Sequence, residues 1–96
     1  MNQLAREIMA IRIEHGFETS KENMLGKLML VVTEISEAAE DVRHQNWDHF
    51  SEEIADTIIR LLDICATLDI DIEAEIARKV EINRARPFRH GKESSA

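Results

Sequence analysis

The chain has 96 residues, of which 44% are apolar and 32% charged, with a formal net charge of −7. This length predicts a single domain with a marginal core, burying roughly 60–65% of its unfolded surface, and the composition argues against disorder. The acidic surplus argues against duplex nucleic acid as a partner, since such binding draws on Lys and Arg against phosphates. No apolar run approaches the ~20 residues that span a bilayer. No basic stretch followed by an apolar core marks a signal peptide. Cys65 is the single cysteine, so no intrachain disulfide is expected. The expectation is a cytoplasmic protein without a membrane partner.

Four helical segments follow in order. The first runs from about Asn2 to His15, where Leu4, Ile8, Ile11 and His15 recur at helical spacing and Gly16 stops the helix. Thr19 and Glu22 have capping-box spacing, which predicts a second helix from near Ser20 to about Gln45. Its stripe is Leu25, Leu28, Val32, Ile35, Ala39 and Val42, with Met24, Met29, Leu30 and Val31 apolar on other sides. A helix apolar nearly all round is buried on several sides, which points to a subunit interface. Asp48 is expected to cap a third helix, roughly Phe50 to Leu68, with a stripe of Ile54, Ile58, Leu61, Cys65 and Leu68. A fourth begins at Asp69 or Asp71 and runs to about Arg84, stopped by Pro87. Short connections favour antiparallel neighbours, hence a helical bundle. Residues 1–90 read as one helical domain and 91–96 as a polar, flexible tail.

Two acidic pairs stand off the apolar stripes. Glu34 and Glu37 lie in EISE, Glu53 and Asp56 in EIAD. Residues three apart on a helix share a face, with Cβ atoms about 5–6 Å apart. If the two helices pack antiparallel, the pairs converge. Four ionised carboxylates so placed repel one another, and a hard divalent cation such as magnesium relieves the repulsion. Taken singly, an E-x-x-E pair is usually a solvated face; two on successive helices carry more weight.

Lys79, Asn83 and Arg86 follow in KVEINRARPFRHGK. A cation, an amide and a guanidinium at helical spacing suit a phosphate chain, although basic residues also favour helix C-termini through the macrodipole. Trp47 in the turn between the acidic helices offers a face for a base, against the commoner role of a packing anchor. His15 offers an edge to a base pocket, against the commoner role of a helix-end histidine. Phe17 and Phe50 read as packing residues, and Cys65 as a small buried hydrophobe. Asp41 and His44 have the D-x-x-H spacing of di-iron bundles, but those sites need a second such motif, which is missing after His49.

The ordered combination of E-x-x-E, E-x-x-D and K-x-x-x-N-x-x-R-P resembles the MazG-like all-α nucleotide pyrophosphohydrolases and their dCTP pyrophosphatase relatives, and it covers about His15 to Lys92. The ending RPFRHGK resembles small single-domain bacterial members. The resemblance implies an all-α, four-helix protomer assembling into a homo-dimer or homo-tetramer. It implies hydrolysis of a nucleoside triphosphate between the α and β phosphates, as removal of non-canonical or surplus nucleotides. Glu34, Glu37, Glu53 and Asp56 would hold Mg2+ (or Mn2+) and serve catalysis, one glutamate orienting the attacking water, while Lys79, Asn83 and Arg86 bind phosphates. Within that superfamily a dUTPase or dCTP pyrophosphatase specialist differs only in base choice. The alternative outside it is a non-catalytic helical dimer that binds a nucleotide or protein partner in a regulatory role.

Overall fold

In the computed structural model, which describes residues 1–87, the helical periodicity resolves into α1 (Asn2–Glu14), α2 (Met24–Arg43), α3 (Trp47–Thr67) and α4 (Ile72–Ala85), with no strand among the described residues. The expected tail, 91–96, and the last residues of the expected 1–90 domain lie outside the described residues.

Two helix starts differ from expectation. α2 begins at Met24 rather than near Ser20, because the Thr19–Glu22 capping box does not form. Thr19 is buried and donates instead to Asp63 Oδ2 at 3.0 Å. A carboxylate acceptor in a partly buried setting binds a hydroxyl more strongly than an exposed backbone N–H holds it. Asn23 organises the turn in its place, accepting from the Ser20 N–H at 2.8 Å and donating to the Glu18 carbonyl at 3.0 Å. α3 begins at Trp47, capped by Asn46, whose Oδ1 accepts from the His49 N–H at 3.4 Å. Asp48, the expected cap, sits in the first turn, where its charge meets the positive end of the helix dipole. α4 starts as read, with Asp71 accepting from the Ala74 N–H at 3.1 Å, and stops where Arg86 turns extended before Pro87.

α1, α2 and α3 all end in a Schellman pattern. Gly16, Gln45 and Asp69 take left-handed φ values of 80°, 56° and 54°. The next amide in each case reaches back to the helix, Phe17 to Arg12, Asn46 to Asp41 and Ile70 to Cys65. Only the first of these three positions carries glycine. Gln45→Gly is therefore expected to stabilise the fold by about 0.5–1 kcal/mol, the left-handed penalty less the added unfolded-state freedom. Urea unfolding checks this; a lower midpoint would mean that the Gln45 side chain contributes more than its backbone costs.

α2 and α3 pack as an antiparallel hairpin, and α1 lies along α3. Asp63 holds these pieces together. Arg12 Nε is 3.2 Å from both of its oxygens, and the other Arg12 nitrogens donate to Thr67 Oγ1 at 2.8 Å and the Phe17 carbonyl at 3.2 Å. α4 buries no residue. Its polar ties to the other helices come from its N-terminal end, where Asp71 and Glu73 meet Met1 and Asn2. The radius of gyration, 15.7 Å, exceeds the about 12.5 Å expected of a compact domain of this length, as a helix with so little packing requires.

The α2 stripe and the first part of the α3 stripe, Ile54 to Leu61, face outward, whereas Cys65 at the far end of the α3 stripe is buried. Leu25 is 75% exposed, Ile35 53% and Ile58 49%. The hairpin seam is built from the next face round, with Val31, Glu34, Ala38 and Asp41 on α2 against Glu53, Thr57, Arg60 and Ile64 on α3. Of these Val31, Ala38, Asp41, Glu53, Thr57 and Ile64 are buried. The seam is thus half polar, while the broader apolar faces are left uncovered in the single chain. Cys65 is buried, as its place on the stripe suggested, and burial pushes its thiol up. Among the described residues no helix is long and apolar enough to cross a membrane.

Candidate metal centre

The spacing of three and four along α2 and α3 brings the acidic residues to the seam. Glu34, Glu37 and Glu53 each offer a carboxylate oxygen within 4.8 Å of the others. Asp56 does not belong to this group and is exposed. Three positions on from Glu53, it points about 60° round the helix from the seam.

Glu53 is the inner member. It is buried, and its Oε2 has no hydrogen-bond partner. Its pKa is pushed up to about 7, first by the hydrogen bond to Glu34, then by burial and by the charge of Glu37. Glu34 moves the other way, held below its usual value by the same Glu53 hydrogen bond and by Arg60. Of the two neighbouring carboxylates, Glu53 is thus the one pushed toward its protonated form and Glu34 the one held ionised. Arg60, two turns along α3 from Glu53, donates from Nε to Glu34 Oε1 at 3.1 Å.

His49 is a neighbour that the spacing did not reveal. Its Nδ1 lies 2.9 Å from both oxygens of buried Asp41, and its Nε2 lies 3.7 Å from Glu53 Oε1. The Asp41 hydrogen bond is the main reason its pKa is raised. Asp41 accepts, so Nδ1 carries a proton. Asp41 thus pairs across the hairpin with His49. His44, which shares the D-x-x-H spacing with Asp41, lies near Glu40 at 3.7 Å. The signal for His49 was its place one turn before Glu53, readable only once the hairpin register is known.

Beside the carboxylates, between α1, α2 and α3, lies a cavity of about 360 Å³ lined by Arg12, Phe17, Lys27, Leu30, Arg60, Asp63 and Ile64. Phe17, expected as a packing residue, is 67% exposed and forms part of this wall. His15 is exposed and lines an adjoining apolar hollow with Ile8, Ile11 and Ile59, which shares Arg12 and Phe17 with the cavity. Trp47 is 56% exposed and meets Phe50 edge-on, with centroids 5.6 Å apart. Lys79, Asn83 and Arg86 are exposed, the first two on α4 and Arg86 just past its end. Among the described residues, no hydrogen bond or ion pair joins them to the carboxylates.

The residues fit a divalent cation. A buried carboxylate oxygen without a partner is costly. Three convergent carboxylates supply the hard oxygen donors that magnesium takes, and one of the three, Glu37, is exposed, which leaves a side open to water or phosphate. Comparison with protein families, curated proteins and solved structures found no match to this chain.

Proposed function

We propose that the protein is a magnesium-dependent nucleoside triphosphate pyrophosphohydrolase of the MazG-like kind, cleaving between the α and β phosphates to release a monophosphate and pyrophosphate. The observation that carries this reading is the buried, partnerless Oε2 of Glu53 within a group of three convergent carboxylates. A divalent ion bound there supplies charge neutralisation for phosphate oxygens and a more acidic water. Glu34, Glu37 and Glu53 would hold it, with Asp56 outside the group in the single chain.

Substrate phosphates are placed by cations near this group, and Lys79, Asn83 and Arg86 join them from a second subunit. The exposed apolar faces of α2 and α3 support a homo-dimer or homo-tetramer. The cell compartment proposed is the cytoplasm. The same faces also suit a non-catalytic helical dimer that binds a nucleotide or protein partner, and turnover separates the two. The test is a panel of canonical and modified nucleoside triphosphates incubated with magnesium or with EDTA, with the products identified. Monophosphate and pyrophosphate appearing only with metal supports the proposal and ranks the bases. Diphosphate and phosphate as products would move the cleaved bond. Absence of any turnover would leave the binding dimer.

A further inference from the structure

Arg60 joins the carboxylate cluster to the cavity beside it. Its Nε is bonded to Glu34 Oε1, and its side chain, 39% exposed, also lines the cavity. The three cations of that wall are not equally free. Arg12 is held by Asp63, Thr67 and the Phe17 carbonyl. Lys27 makes no ion pair among the described residues. Arg60 has Glu34 as its ion-pair partner, one of the three carboxylates that a metal would need.

Resting on the metal reading above, we propose that Arg60 exchanges partners: it neutralises Glu34 in the free protein, and gives Glu34 up to a divalent cation to bind a phosphate oxyanion in the cavity with Lys27. A guanidinium next to a dication on the same carboxylate is repelled. The nearest open volume is the cavity that Arg60 already lines, so the exchange needs a change of side-chain angle and no movement of α3. Guanidinium is the group best shaped to take two phosphate oxygens together. The cavity holds one unpaired cation before the exchange and two after it. Cation and anion therefore help each other to bind, and by linkage the help is equal in both directions.

The exchange gives Arg60→Gln two effects of opposite sign. Without a competing guanidinium, Mg2+ affinity of the intact protein rises about three- to fivefold, in line with loss of one partly exposed ion pair. Inorganic phosphate binding in saturating Mg2+ falls about tenfold, measured by equilibrium dialysis. Arg60→Lys keeps the charge and controls for folding; it leaves Mg2+ affinity near that of the unchanged chain and weakens phosphate. Wild-type phosphate binding is tighter with Mg2+ than without. A structural role for Arg60 predicts that both affinities fall in Arg60→Gln, which overturns the exchange, as does phosphate binding indifferent to Mg2+. If the unchanged protein binds no Mg2+, the metal reading itself fails; if it binds Mg2+ but Arg60→Gln does so no better, the exchange alone fails.

Discussion

Glu53→Gln is expected to abolish pyrophosphate release and, at the same time, to make the metal-free protein more stable at slightly alkaline pH. The substitution keeps the shape and removes the charge. Loss of one of the group's three convergent carboxylates, the buried one, should cost about 10³-fold in turnover, since such a metal contributes several kcal/mol to the transition state. The stability effect has the opposite sign because of proton linkage. In the folded chain Glu53 titrates at about 7 against an ordinary 4.5, so the folded state holds this proton more tightly than the unfolded chain. Its contribution is fully present below about pH 4.5 and is lost as pH rises through about 7. His49, raised above 6.5 by Asp41, adds to the same loss over and above that value. Glu34 is lowered below 4.5, so its contribution disappears only in more acid solution. In EDTA the melting temperature should therefore fall from about pH 5 to about pH 8, and Glu53→Gln should flatten most of that fall. Thermal melts with and without magnesium read this directly. Loss of stability together with activity would instead make Glu53 a packing residue. Full activity in the variant would remove it from the site.

The second large effect is on assembly. Ile58 is 49% exposed on α3, and Leu28, Val32 and Ile35 stand uncovered on α2. Apolar faces of this breadth are seldom left to water. The protein is expected to sediment as a dimer or tetramer, and Ile58→Glu to weaken that association by about 2–4 kcal/mol, through lost burial and a charge placed against an apolar partner. Sedimentation velocity over a concentration series measures both. A wild-type chain that stays monomeric at tens of micromolar would require another occupant for these faces, and an Ile58→Glu chain that assembles normally would place the interface elsewhere.

The periodicity of the sequence was enough for four helices and for the junction at Pro87, because each rests on local chemistry. It misjudged which stripe meets which helix. Leu25, Val32 and Ile58 repeat at helical spacing whether a sister helix or a second subunit covers them, whereas Val31, Ala38 and Ile64, which fill the seam, are fewer and interleaved with Glu34, Asp41 and Glu53. Thr19 failed as a cap for a related reason. Its competitor, Asp63, is distant in sequence and close only after α1 and α3 pack. At the site, equal spacing on α2 and α3 made the convergence of Glu34, Glu37 and Glu53 legible. Asp56 shares the motif but not the direction. Partnerships across the hairpin, Arg60 with Glu34 and His49 with Asp41, depend on the register set by the turn at His44–Asn46, and no local pattern encodes it. Lys79 and Asn83 sit on a helix that packs little against the rest of the chain, so their reach depends on assembly rather than on α4 itself.

The most direct measurement is a calorimetric titration of the unchanged protein with Mg2+ in two buffers of different ionisation enthalpy, at about pH 6.5 and again at about pH 8.5. If Glu34, Glu37 and Glu53 form a metal centre, binding is saturable, and it releases roughly half a proton to one proton more per site at the lower pH, because Glu53 must give up the proton it holds near pH 7. Absence of saturable binding, or binding with the same proton release at both pH values, would contradict the account.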